Sequence, residues 1–144
     1  MTDTPLPSPL PAASYIQLDG PEPRLSFLKC RSCGTMFLEP ERLACARCGS
    51  RDGFDAHEPR YEGTLHSYSI VHRSFPGTAV PFISAVVDID DGPSLKGNLR
   101  GVPFDADQID GAMRVRIVFD DALGRRDADG NAYISHFFEP LAAD

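Results

Sequence analysis

No apolar run in this sequence approaches the roughly 20 residues that a membrane-spanning helix needs. The first ten residues, Met1 to Leu10, have neither the basic nor the apolar region that opens a secretory signal. A cytoplasmic protein with no membrane association is therefore expected. Positive charge is scarce. Fourteen Lys and Arg stand against 21 Asp and Glu, a formal net charge of −7 over 144 residues. That balance argues against general binding to a nucleic-acid backbone. Catalytic signatures are missing too: there is no G-x-S-x-G elbow, no P-loop and no G-x-G-x-x-G. Long amphipathic helices are also lacking, and only 104–110 (FDADQID) predicts a helical turn. What remains is a globular composition, 42% hydrophobic and 24% charged.

Four cysteines carry the strongest signal. They run Cys30-x2-Cys33, eleven residues, Cys45-x2-Cys48, and glycine follows each pair as Gly34 and Gly49. In a leaderless chain this spacing reads as metal binding rather than disulfide formation. Two residues between thiols let one tight turn offer both sulfurs to one ion. The glycine tolerates positive φ and lets backbone N–H groups face the sulfurs. Two such knuckles complete a tetrahedral sulfur shell, which suits one zinc per chain; iron in a rubredoxin-like shell fits the same spacing. All four positions would be filled by protein, so the metal is expected to be structural. The charge pattern agrees: residues 24–51 carry +4, whereas 1–23 carry −3 and 52–144 carry −8. The basic block is expected to offset the negative charge of a four-thiolate zinc.

Along the chain, three domains are expected. Residues 1–23 are the expected proline-rich arm, of which 1–14, with Pro5, Pro7, Pro9 and Pro11, predict an extended segment that is mobile in isolation. Residues 24–57 predict a zinc ribbon with strands near 25–29, 35–38 and 52–57. Residues 58–144 predict a five-stranded barrel: strands over 61–73, 82–89, 94–102, 113–119 and 132–138, with 121–131 as a polar hairpin loop. In 82–89, Ile83, Ala85, Val87 and Ile89 share one face. Five strands with a short element between the third and fourth is the order of an OB barrel. The expected class is all-β: a rubredoxin-like zinc ribbon followed by an OB-fold barrel.

The order of CRSCG at 30–34, CARCGS at 45–50, YEGTLHSYSIVHR at 61–73, PFISAVVDIDDG at 81–92, GNLRG at 97–101, DGAMRVRIVF at 110–119 and FFEP at 137–140 resembles the DUF35 family. These are zinc-ribbon/OB-fold proteins associated with acyl-CoA enzymes. The resemblance runs from Leu25 to Pro140. It departs from the family where a proline-rich arm replaces the usual helical hairpin and where Ala46 follows the third cysteine. It implies a small partner subunit of a thiolase or thiolase-like enzyme, in a hetero-oligomer, with acyl-CoA at the shared interface. Degradation of lipids or aromatic acids is the implied setting. The alternatives are a partner of an acyl-CoA hydratase or acyltransferase, or a nucleic-acid-binding ribbon/OB protein.

No catalytic set stands out, and no turnover is expected of the chain alone. With the thiols committed to metal, no cysteine nucleophile is left. His66 and His72 are expected on one strand face with Tyr68, by even offset. Arg73, Lys96 and Arg100 are the candidates for contact with CoA phosphates. Phe27, Met36, Phe37, Phe75 and Phe82 are the candidates for a partner surface.

Overall fold

The computed structural model describes residues 9–39 and 41–141. They divide into two compact units. One comprises Met1–Glu58 with Phe119–Ser135; the other comprises Pro59–Val118 with His136–Asp144.

In the first unit, β1 (Leu10–Pro11) pairs in parallel with the start of β11 (Ala132–Pro140), Leu10 opposite Tyr133. The Ala12 N–H extends this ladder to the Ile134 carbonyl at 2.9 Å. The arm expected to be free is thus tied down from Leu10 onward, and its first eight residues lie outside the described ones. Pro11 lies in extended backbone whose neighbouring N–H and C=O groups complete a sheet edge. β2 (Ile16–Gln17) and β3 (Arg24–Leu25) form a small antiparallel pair. Ile16, Leu25 and Phe27 are buried there. Phe27 is therefore core and leaves the set of partner-surface candidates. Beyond lies the three-stranded antiparallel ribbon, β5 (Met36–Phe37), β4 (Phe27–Cys30) and β6 (Phe54–His57), with β4 in the middle.

The second unit is the five-stranded mixed barrel of an OB fold. β7 (Glu62–Val71), β8 (Phe82–Ile89) and β9 (Ser94–Leu99) form an antiparallel meander, and the start of β10 (Arg114–Arg126) returns beside β7, its residues from Phe119 onward belonging to the first unit. The parallel pairing of β9 with β11, Phe138 opposite Leu99, closes the circuit. One 3-10 turn, Ala106–Gln108, follows β9; Asp105 caps it by accepting the Asp107 N–H at 3.0 Å. The alternation in β8 holds: Ile83, Ala85, Val87 and Ile89 are all buried. Across the ladder they meet Leu99 and Leu95. Leu65, Ile109, Val115, Ile117, Phe137 and Phe138 are buried with them. Gly97 is required by packing, because a Cβ there would lie 2.8 Å from His136 Nε2.

Two expectations fail in this part of the chain. β7 slips register between Leu65 and Ser67, so His66 is the extra residue of a bulge. Burial accordingly moves from Gly63 and Leu65 to a partly buried Tyr68 and Ile70. The even-offset argument for His66 and His72 breaks at the bulge, and His72 lies past the strand end. Second, 121–126 is strand rather than loop. β10 runs on to Arg126, and the turn is confined to 127–131, where Asp127 N–H donates to the Asn131 carbonyl at 3.0 Å. The polarity of this stretch reflects solvated strand faces, with Arg125 laid over the Tyr133 ring at 4.8 Å.

Candidate metal centre

Each cysteine pair sits in the same local structure. In the first knuckle the Gly34 N–H donates to the Cys30 carbonyl, and the Cys30 N–H to the Thr35 carbonyl, both at 2.9 Å. In the second, Gly49 and Cys45 repeat the two bonds with Cys45 and Ser50, again at 2.9 Å. Gly34 and Gly49 have φ of 78° and 77°, the left-handed region that turns the chain back at little steric cost. One cysteine of each knuckle is buried (Cys30, Cys45) and one is exposed (Cys33, Cys48).

The four Sγ atoms lie within 4.8 Å of one another. Cys30 and Cys48 are 3.8 Å apart, and Cys33 and Cys45 are 3.6 Å apart. A tetrahedral shell with zinc–sulfur bonds of about 2.3 Å requires edges of about 3.8 Å. The donor set therefore fits one structural zinc ion, with the four cysteines as its ligands. Backbone N–H groups of Arg47 and Cys48 both approach the Cys45 sulfur at 3.4 Å. Thr35 hydrogen bonds pull the Cys33 thiol down to about 6. At Cys48 the Ser50 backbone bond also pulls downward, yet desolvation and the neighbouring sulfurs push the thiol up to about 12. Thiols this close cannot all ionise without a cation among them.

Three of the six basic side chains in 24–51 are engaged by carboxylates. Arg24 pairs with Asp19 at 3.1 Å, Arg31 with Asp55 at 2.9 Å and Arg42 with Glu39 at 2.9 Å. These three guanidiniums answer carboxylates, while backbone N–H groups face the Cys45 sulfur. Thr35 and Ser50 were not singled out from sequence. Their signal is a hydroxylated residue directly after each knuckle glycine: Thr35 Oγ1 lies 3.2 Å from Cys33 Sγ, and Ser50 Oγ meets Ser32 Oγ at 2.8 Å.

The CoA-contact candidates are dispersed. Arg73 is exposed in the connection after β7, and Lys96 is exposed on β9. Arg100 binds Glu139 at 2.8 Å and covers the Phe137 ring at 4.6 Å. Strand register puts Arg73 and Arg100 at one end of the sheet, with Lys96 further back. His66 Nδ1 lies 3.0 Å from Asp88, which also accepts the Ser94 hydroxyl at 2.6 Å. Those two bonds hold the Asp88 carboxyl below its usual value, the Ser94 bond first. Ser94 bonds the carboxylate rather than the imidazole, so this trio is not a nucleophile and its base. Among the described residues no helix is long and apolar enough to cross a membrane.

A four-thiolate ribbon preceding an OB barrel defines the class, and known proteins share both parts. Residues 19–53 match the family described as ChsH2, rubredoxin-like zinc ribbon domain, and residues 57–120 match ChsH2, C-terminal OB-fold domain. A DUF35 domain-containing scaffold protein of Methanocaldococcus jannaschii is 26% identical over 64% of this chain and 64% of its own length. The benzoylsuccinyl-CoA thiolase subunit BbsA of Geobacter metallireducens is 29% identical over 58% and 55%. A probable enoyl-CoA hydratase alpha subunit of Thermomonospora curvata is 32% identical over 60% of this chain and 27% of its own length. The chain spans less than two thirds of each of these relatives. A solved structure titled Ltp2-ChsH2(DUF35) aldolase is 28% identical with a TM-score of 0.64, over 83% of this chain and 86% of that one. The chain belongs to the DUF35/ChsH2 family of zinc-ribbon and OB-fold proteins.

Proposed function

We propose that this chain is a non-catalytic zinc-binding subunit of a thiolase or thiolase-like acyl-CoA enzyme, docked on the catalytic subunit and helping to shape its CoA or acyl channel. The observation that carries this reading is the likeness to the ChsH2(DUF35) chain across both ribbon and barrel. Its chemistry supports it. Carbon–carbon chemistry at a thioester needs a nucleophile, a base and an oxyanion site held together. Here the four thiols are gathered in one cluster that fits a metal ion. What the chain offers is two stapled or closed scaffolds, suited to positioning another protein's loops. Arg73, Lys96 and Arg100 are the groups this reading assigns to CoA phosphates, and the cytoplasm is its setting. Residues 1–23, 24–57 and 58–144 are the arm, ribbon and barrel domains of the proposal.

The test is co-expression with a thiolase-like catalytic chain, then co-purification and acyl-CoA assay with each subunit omitted. Activity only with both present is the expected result. Turnover by this chain alone, or no association, rejects it. A hydratase partner is the second reading, favoured by the Thermomonospora relative; the same experiment with a hydratase subunit decides between them.

A further inference from the structure

The two knuckles are built alike up to one side chain. In each, the glycine N–H returns to the carbonyl of the first cysteine, and that cysteine's N–H reaches the carbonyl of the residue after the glycine, all at 2.9 Å. Thr35 and Ser50 therefore occupy equivalent positions, each one residue beyond a glycine with φ of 78° or 77°. Their hydroxyls do different things. Thr35 Oγ1 turns to its own knuckle and lies 3.2 Å from Cys33 Sγ. Ser50 Oγ leaves its own knuckle and meets Ser32 Oγ, which stands between the two cysteines of the other, at 2.8 Å.

The Ser50 contact belongs to a closed circuit. The Asp52 N–H donates to Ser50 Oγ at 3.1 Å, and the Ser32 hydroxyl donates to Asp52 Oδ2 at 3.3 Å. A hydroxyl has one proton, so in the middle bond the Ser50 O–H donates to Ser32 Oγ. Beside it the Arg31 N–H donates to the Gly53 carbonyl at 3.2 Å, and Cys30 pairs with Phe54 in the ladder of β4 and β6. The circuit thus carries that ladder onward to the knuckles without using a sulfur. Ser32 and Ser50 are 18 residues apart, so their bond closes the loop that bears the second knuckle. Sulfurs held in this way have less freedom left to lose when an ion gathers them. The Thr35 contact acts on one ligand instead. A zinc-bound sulfur is a thiolate and can only accept, so the Thr35 hydroxyl donates to it. Such a bond fixes the direction and the basicity of a ligand atom.

We propose that Ser50 and Thr35 are positioning residues for the zinc ion with divided roles: Ser50 latches the two knuckles together through Ser32 and Asp52, and Thr35 directs the Cys33 thiolate. The test is the zinc affinity of the full chain, by competition with a chromophoric chelator, together with the visible spectrum of the cobalt(II)-substituted protein. Ser32→Ala and Ser50→Ala should each weaken zinc binding about tenfold. The double variant should be no weaker than either single one, because both remove the same bond. Ser50→Thr keeps the hydroxyl and should bind zinc as the wild type does. The thiolate-to-cobalt bands should be unchanged in all of these, since the four sulfurs remain as they were. Thr35→Val should also weaken zinc binding, add its loss to that of Ser50→Ala, and shift the cobalt bands; Thr35→Ser should restore them. Thr35→Ala gives the same reading where the valine variant does not fold. Wild-type affinity in Ser32→Ala and Ser50→Ala, or losses that add in their double variant, overturns the latch. A cobalt spectrum that does not shift when the Thr35 hydroxyl is removed overturns the role given to Thr35.

Discussion

Among the described residues of the ribbon unit the buried apolar side chains are Ile16, Leu25 and Phe27, with the buried cysteines Cys30 and Cys45. The barrel unit buries Leu65, Ile83, Val87, Leu95, Leu99, Val115, Phe138 and others around one interior. A core of three large side chains removes too little surface from water to offset the entropy of ordering its chain, so the ribbon depends on its metal. The barrel owes its order to apolar burial within a closed circuit of strands. The difference teaches where each half is vulnerable: one to chelation and oxidation, the other to cavities and to buried charge.

The largest expected effect is on the metal side. Purified protein should contain about one zinc per chain by elemental analysis. Cys30→Ser or Cys48→Ser should unfold the ribbon, because apparent zinc binding of about 10–16 kcal/mol is folding energy there. The barrel's β signal in circular dichroism should persist. Loss of all β signal together would merge the two units into one cooperative structure and break the contrast.

Next comes the barrel core. Phe138, fully buried, should cost about 3–5 kcal/mol when cut to alanine, read by chemical denaturation. Zinc content should stay at one per chain. A parallel loss of metal would show that the ribbon depends on the barrel.

A smaller effect should follow pH. Burial holds His136 below its ordinary value of 6.5, while its Nε2 bonds the Lys96 carbonyl at 2.7 Å. Unfolding frees the ring to take a proton, so barrel stability should be complete above about 6.5 and fall as pH drops below it. The slope is bounded at about 1.4 kcal/mol per pH unit. Asp88, Asp90 and Glu139 are held below their ordinary carboxyl values and lose their contribution only in more acid solution. His136→Gln should flatten the profile below about 6.5; an unchanged profile places the titrating group elsewhere.

The smallest effect belongs to surface ion pairs. Arg31 and Asp55 bond at 2.9 Å with side chains 56% and 63% exposed. Asp55→Ala should shift denaturation by only about 0–1 kcal/mol. A larger loss, accompanied by zinc release, would make the pair part of the knuckle's support.

How much of this was legible in the sequence follows from the range of each interaction. The knuckles are local: Cys-x2-Cys-Gly dictates its own turn, and two copies suffice to define the site. The alternation of Ile83, Ala85, Val87 and Ile89 is local too, because strand geometry alone puts them on one face. Cross-strand partners lie beyond that reach. The bulge at His66 depends on β8 running alongside, and it reverses the parity a sequence reader assumes. The length of β10 depends on a hairpin partner, so DALGRR reads as loop until β11 lies against it. Parallel docking of Leu10 and Pro11 needs an edge supplied more than a hundred residues later.

Sequence by itself therefore determined the metal site, the order of the strands and the class of the fold, since turn chemistry and side-chain period are encoded within a few residues. Only the tertiary structure decided which aromatics face water. Phe27 and Phe75 look alike along the chain. One is 1% exposed against Tyr15 and the other 84% exposed at a hairpin tip, because exposure is set by what the rest of the chain brings alongside.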